Sequence, residues 1–217
     1  MSMETQETTR GVKETARVET FSDGVFAIAI TLLILNVIEV PHHPAPGETF
    51  TDTLLRHWPT FTAFVIGFIS ILVCWINHHF VFRYVVNQNG MLIVLNGLIL
   101  LVVTIIPFPT AILADHFLDS ELQTAITMYG INALLMSLGL KMFWSYASRK
   151  HFLDPHGDRK FFRSIGLVYS IGIVYTIFTT AISYLSHETA FALFALMFII
   201  YAFPDAFSRR LMRFRQN

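Results

Sequence analysis

Long apolar runs, interrupted at intervals by short polar stretches, dominate the chain from about residue 20 onwards. A membrane-spanning helix needs roughly 20 mostly apolar residues. Runs of that kind lie near 19–41, 57–83, 91–114, 120–147, 161–186 and 189–207, each bounded by charged residues or by Pro and Gly. The pattern predicts an all-α integral membrane protein of six spans, organised as one domain over 1–217. The last run is short and follows a tight turn at His187 and Glu188, which also fits a tilted or partly interfacial sixth helix. The polar N-terminal stretch precedes an apolar run too long for a signal-peptide core, so the N-terminus is expected to remain in the mature protein.

The basic residues gather on alternate connections. Arg10, Lys13 and Arg17 precede the first span, Arg83 follows the second, and Arg149, Lys150, Arg159, Lys160 and Arg163 surround the fourth connection. Arg209, Arg210, Arg213 and Arg215 close the chain, and the remaining loops carry only Arg56. Short loops rich in Lys and Arg stay on the cytoplasmic side. The expectation is a multi-pass protein of the cell membrane with both termini cytoplasmic and an even number of spans. Acids take the opposite side: Glu39, Glu48, Asp52, Asp115, Asp119, Glu121 and Glu188 all fall in the outer loops. Such a surface concentrates cations near an entrance, and it is equally what ordinary solvated loops look like.

Composition sharpens this picture in two respects. At 54% hydrophobic and 14% charged, the 217 residues are too apolar for an ordinary soluble domain. A formal net charge of zero gives no reason to expect a nucleic-acid partner. The single cysteine, Cys74, excludes an intrachain disulfide framework and reads as a small buried apolar residue.

Candidate chemistry begins in the first span, where Asp23, Thr31 and Asn36 interrupt an apolar stretch; polar groups inside a membrane are costly and face protein or water. At 100° per residue, with Ile28 as origin, Leu32 lies at about 40°, Leu35 at about −20° and Glu39 at about 20°. Thr31 borders that stripe at about −60°, and Asp23 sits about 140° away. One face is therefore a column of branched aliphatics ending in an acid. Such a column serves lipid contact or core packing, or else it builds a hydrophobic constriction that closes a pore by dewetting. The constriction requires several copies of the helix around a symmetry axis. Arg17 and Asp23, at the cytoplasmic end, either brace this helix against its neighbours or snorkel to the interface.

The second span contributes Trp75-Ile76-Asn77-His78-His79 near its inner end, which offers an indole donor and an imidazole on one helix face at the depth of Asp23. Adjacent histidines point about 100° apart and match no zinc pattern, so no metal site is expected. No nucleophile elbow, phosphate-binding glycine loop or paired intramembrane aspartates occur, so neither an enzyme nor a cofactor is expected.

At these residues the chain resembles the prokaryotic homologues of the endolysosomal potassium channel, transmembrane protein 175. The likeness rests on Arg17, then Phe21-Ser22-Asp23-Gly24, then the aliphatic run through Leu35. Trp75 with His78 and His79, and Pro107-Phe108-Pro109-Thr110, extend it across the first three spans. The resemblance implies a homotetramer of six-helix subunits in the lipid bilayer, with the first helix of each lining a central pore for monovalent cations, K⁺ above all. It implies that Ile28 forms the tightest ring of a hydrophobic gate, with Leu32 and Leu35 the next two outward. It implies that Thr31 bears on selectivity, that Glu39 stands at the outer vestibule, and that Arg17, Phe21, Ser22, Asp23, Trp75 and His78 form a structural network around the pore helix. No carbonyl filter of the T-V-G-Y-G kind is present, so selectivity is expected to be modest. The rival reading is a proton-coupled secondary transporter using Asp23 and the histidines as relays; a membrane scaffold is a third.

Overall fold

The computed structural model describes residues 3–40 and 46–214, with side chains described over 15–40 and 46–212. It is entirely helical apart from one isolated bridge between Val85 and Leu153. The helices are α1 (Met3–Leu32), α2 (Ile34–Ile38), α3 (Phe50–Arg56), α4 (Trp58–Phe82), α5 (Gly90–Ile105), α6 (Pro107–Asp115), α7 (Leu122–Arg149), α8 (Arg159–Ile182), α9 (His187–Ala202) and α10 (Pro204–Phe214).

Several of these boundaries depart from the hydropathy reading, each for a local reason. The first helix starts far before residue 19, at Met3. Its early turns are too polar to register as a span, yet Glu, Gln, Lys and Arg are good helix formers. Leu33, between α1 and α2, keeps α-helical torsions (φ −60°, ψ −27°), so the two run on as one rod. The run near 91–114 is split before Pro107, which lacks the N–H to continue the ladder. The run near 189–207 is not one straight helix: α9 ends at Ala202, Phe203 leaves helical torsions, and α10 departs at 85°. Pro204 explains the break, because a proline disfavours the α conformation in the residue before it and suits the first turn of the next helix. The short α3 begins with a reciprocal cap in which the Asp52 N–H donates to Thr49 Oγ1 (3.2 Å) and the Thr49 N–H donates to Asp52 Oδ2 (2.9 Å).

Among the described residues, five stretches are long and apolar enough to cross a membrane: Thr15–Ile38, Trp58–Phe82, Gly90–Asp115, Leu122–Arg149 and Arg159–Ile182. The bent pair α9 and α10 is the further candidate. α7 and α8 form an antiparallel hairpin, α4 packs against α1, α6 and α9, and α10 folds back onto α8. Phe26, Leu33, Ile71, Phe82, Ile99, Phe143, Trp144 and Tyr169 belong to one continuous core. Asn77 Nδ2 donates to the Tyr201 carbonyl at 2.8 Å and so ties α4 to α9. Beside it lies a cavity of about 90 Å³ lined in part by Asn77 and Tyr169, whose Oδ1 and hydroxyl have no partner among the described residues.

Gly67 lets α4 lie close against α6 and the first helix. A Cβ there would lie 2.7 Å from Thr110 Oγ1 and 3.0 Å from Leu33 Cδ2, inside contact distance for both α6 and the first helix. Gly67→Ala is therefore expected to cost about 1 kcal/mol of stability through overpacking. A lowered thermal midpoint in detergent checks this; an unchanged one would mean that the three helices part without strain.

In the loop between α6 and α7, His116 Nδ1 and Asp119 Oδ2 lie 2.8 Å apart. The hydrogen bond to Asp119 holds the imidazole above its ordinary value of 6.5 and the carboxyl below its ordinary 3.8. The His116 contribution is thus full below the ordinary histidine value and fades as pH rises through the raised one. The Asp119 contribution fades as pH falls through its lowered one. Asp119→Asn is expected to return the His116 titration midpoint downward towards 6.5, read from its ring resonances by NMR. An unmoved midpoint would contradict the pair.

Candidate pore-helix site

The two faces of the first helix differ sharply. Ser22, Phe26, Ala29 and Leu33, spaced by three or four residues, are buried against α4 and α5. On the opposite side Phe21, Ile28, Leu32, Leu35 and Ile38 stand exposed, Ile28 at 62% and Leu35 at 52%. Gly24, Ala27 and Thr31 fill the same exposed side. A helix that buries one stripe and leaves a second, equally apolar stripe open requires a further apolar partner there, whether lipid or another subunit. The Thr31 hydroxyl donates to the Ile28 carbonyl at 2.9 Å, with Ala27 O at 3.1 Å. Its proton is thus used within the helix, and its lone pairs remain available on the open side. Glu39 closes the stripe at the outer end and is exposed. Asn36 Nδ2 is shielded there and has no hydrogen-bond partner among the described residues.

The buried face is held by two sets of polar contacts. In the first, Ser22 Oγ donates to the Val18 carbonyl at 2.8 Å and accepts from Asn96 Nδ2 at 2.9 Å. Since the Asn96 amide nitrogen faces Ser22, its Oδ1 faces His78 Nε2 at 2.7 Å, so Nε2 carries the imidazole proton. The His78 ring is wholly buried, with Phe82 stacked at 4.5 Å and Phe26 tilted at 5.2 Å between centroids. This chain crosses from α1 through α5 to α4. In the second set, Trp75 Nε1 donates to Asp23 Oδ1 at 2.8 Å, and His79 Nδ1 lies 3.0 Å from Glu19 Oε1. Glu19 and Asp23 are one turn apart, as are Trp75 and His79, whose rings stack at 5.6 Å. The result is a two-rung clip between α1 and the C-terminal half of α4.

The structure brings Asp23 to Trp75 directly and Ser22 to His78 through Asn96. It does not bring Arg17 and Phe21 to them within the subunit. Both are exposed. The arithmetic that orders the aliphatic column explains why: from Ile28, Arg17 falls at about −20° and Phe21 at about 20°, on the open stripe itself. Asn96 and Glu19 are the members that motif reading overlooks. For Asn96 the signal was present, since a lone amide in the middle of the apolar run Leu92–Val103 is costly unless it is satisfied.

Residues 17–107 match the family model described as the endosomal/lysosomal potassium channel TMEM175. A potassium channel of Streptomyces collinus is 37% identical over 194 residues, covering 88% of this chain and 93% of that protein. The chain belongs to the TMEM175 family. The crystal structure of a lysosomal potassium-selective channel TMEM175 homolog from Chamaesiphon minutus is similar throughout, with a TM-score of 0.77 at 33% identity, over 89% of this chain and 98% of that one. The human endosomal/lysosomal proton channel TMEM175 is 38% identical over 88 residues, 38% of this chain and 18% of the human protein. The TMEM175 family comprises membrane-embedded ion channels and is not a class of enzymes.

Proposed function

We propose that this TMEM175-family protein is a cation channel of the cell membrane that favours K⁺, built as a homotetramer whose four first helices line the pore. Each subunit contributes six spans, the bent pair of α9 and α10 serving as the sixth, and both termini are cytoplasmic. The observation that carries this reading is the division of labour on α1 and α2. One face is fixed by Ser22, Asp23 and the clip to α4, while the opposite face presents Ile28, Leu32 and Leu35 to something outside the subunit.

Fourfold symmetry turns each of those residues into a ring. Rings of branched aliphatics narrow the passage and empty it of water when closed, so conduction follows wetting. The Thr31 ring, one residue from the column, offers hydroxyl lone pairs to an ion that has shed part of its hydration. The Glu39 ring and the acidic outer loops raise the cation concentration at the mouth. The Asp23 clip and the Asn96-centred chain brace the helix, so that the rings keep a common register.

The decisive test is K⁺-gradient-driven flux into liposomes holding the purified protein, measured beside Na⁺. Passive K⁺ flux exceeding Na⁺ flux is the expected result. Flux that appears only with an opposing proton gradient would replace the channel by a proton-coupled transporter, and no flux at all would leave a scaffold.

A further inference from the structure

A second cavity lies between the C-terminal end of α7 and the start of α8, and no residue of the first helix lines it. Its volume is about 670 Å³, within the range of small-molecule sites. Lys141, Arg149, Arg159 and Arg163 line it, and Asp154 is the acid among its walls. Cations at protein surfaces usually find carboxylates, as Arg56 finds Glu48 and Arg209 finds Asp205. These four have no ion pair among the described residues. Asp154 pairs with none of them among the described residues, its Oδ1 accepting the backbone N–H of His156 at 2.9 Å, and its single charge leaves the four cations in excess. Lys141 stands deepest, about 12 Å from Arg149 along the helix at 1.5 Å per residue. Its ammonium donates to the Gly166 carbonyl at 2.6 Å and keeps two further protons for a ligand.

The walls repeat at helical spacing. Lys141, Ser145 and Ser148 share one face of α7, and Arg159, Arg163, Gly166 and Ser170 share one face of α8. Followed towards the membrane centre, the same faces become apolar and exposed at Leu138 on α7 and at Val174 and Ile177 on α8. A basic hollow at the level of lipid headgroups, continued upward by an open apolar strip, has the chemistry of one molecule: a phosphate with hydrocarbon tails.

The geometry points to this cavity as a binding site for an anionic glycerophospholipid, its phosphodiester held by Arg159, Arg163 and Lys141 and its acyl chains laid along Leu138, Val174 and Ile177. Guanidinium groups hold phosphate oxygens through paired hydrogen bonds, and basic hollows between membrane helices favour anionic headgroups. The proposal goes beyond ion conduction and does not depend on it.

The test is native mass spectrometry of the purified full chain titrated with phosphatidylglycerol or phosphatidylcholine. The wild type is expected to retain phosphatidylglycerol at least about tenfold better than phosphatidylcholine, and R159Q/R163Q is expected to lose roughly thirtyfold of its phosphatidylglycerol affinity, two basic contacts at a membrane surface. K150Q/R210Q removes two cytoplasmic charges outside the cavity and is expected to leave the preference unchanged. Equal losses in both double variants would overturn the site in favour of general surface charge. If R159Q/R163Q does not fold, R163Q alone is expected to lose roughly fivefold, and full retention by it would overturn the site equally. Displacement of the lipid by inorganic phosphate at comparable concentration would show that the hollow reads a free anion and not a lipid.

Discussion

Replacing Ile28 with Asn is expected to raise K⁺ flux about tenfold while leaving the thermal midpoint of the protein unchanged. The two halves of that result come from one observation, the 62% exposure of Ile28 within its own subunit. A side chain exposed to that degree contributes little to the stability of the subunit, so a polar replacement of similar size leaves the fold intact. In the proposed tetramer the same replacement is made four times around one ring. If each amide lowers the free energy of a wetted constriction by only about 0.35 kcal/mol, the sum of about 1.4 kcal/mol is a factor of ten in rate. Single-channel or liposome flux measurements check the first half and detergent unfolding the second. Flux that stays the same or falls, with the protein folded, would remove Ile28 from the gate.

The second large effect is expected at a residue on the opposite face of the problem. Asn96→Leu fills a similar volume but strands the His78 Nε2 proton, which has 2.7 Å contact with Asn96 Oδ1 and no solvent access. Leaving one buried donor unsatisfied and breaking the link to Ser22 is expected to cost about 2 kcal/mol. For a chain of this size that corresponds to a fall of roughly 4–8 °C in Tm. His78→Phe in the same background should add much less than it costs alone, because the partner it lost is already gone. Additive losses would show that Asn96 and His78 do not share a network.

How far such features can be read in advance follows from their physics. The long spans are legible because hydrocarbon imposes a minimum apolar length on any helix that crosses it. The column of Ile28, Leu32 and Leu35 is legible because helical periodicity is rigid over ten residues. The same arithmetic places Arg17 and Phe21 on that column, so grouping them with Asp23 followed the motif and not the geometry. The Asn96 bridge is another matter: which side chain of α5 meets Ser22 depends on how two helices cross, and no local pattern encodes that. The start of the first helix at Met3 escaped the hydropathy profile because propensity extends a helix well past the membrane. The break at Phe203 was written in Pro204, but a hydropathy window averages across it.

That break also fixes how tall the protein is at one corner. α9 has 16 residues, a rod of about 24 Å, whereas the hydrocarbon layer of an ordinary bilayer measures about 30 Å. In the proposed topology, where the bent pair serves as the sixth span, Pro204 keeps α9 from running straight on into α10, and the shortfall is met by the lipid, which dimples inward there at an elastic cost. Thicker bilayers deepen that dimple and thinner ones relieve it. On that reading the kink makes the chain length of the surrounding lipids a mechanical load on one edge of the subunit, passed through the Asn77–Tyr201 hydrogen bond to α4, the helix that clips the first helix in place.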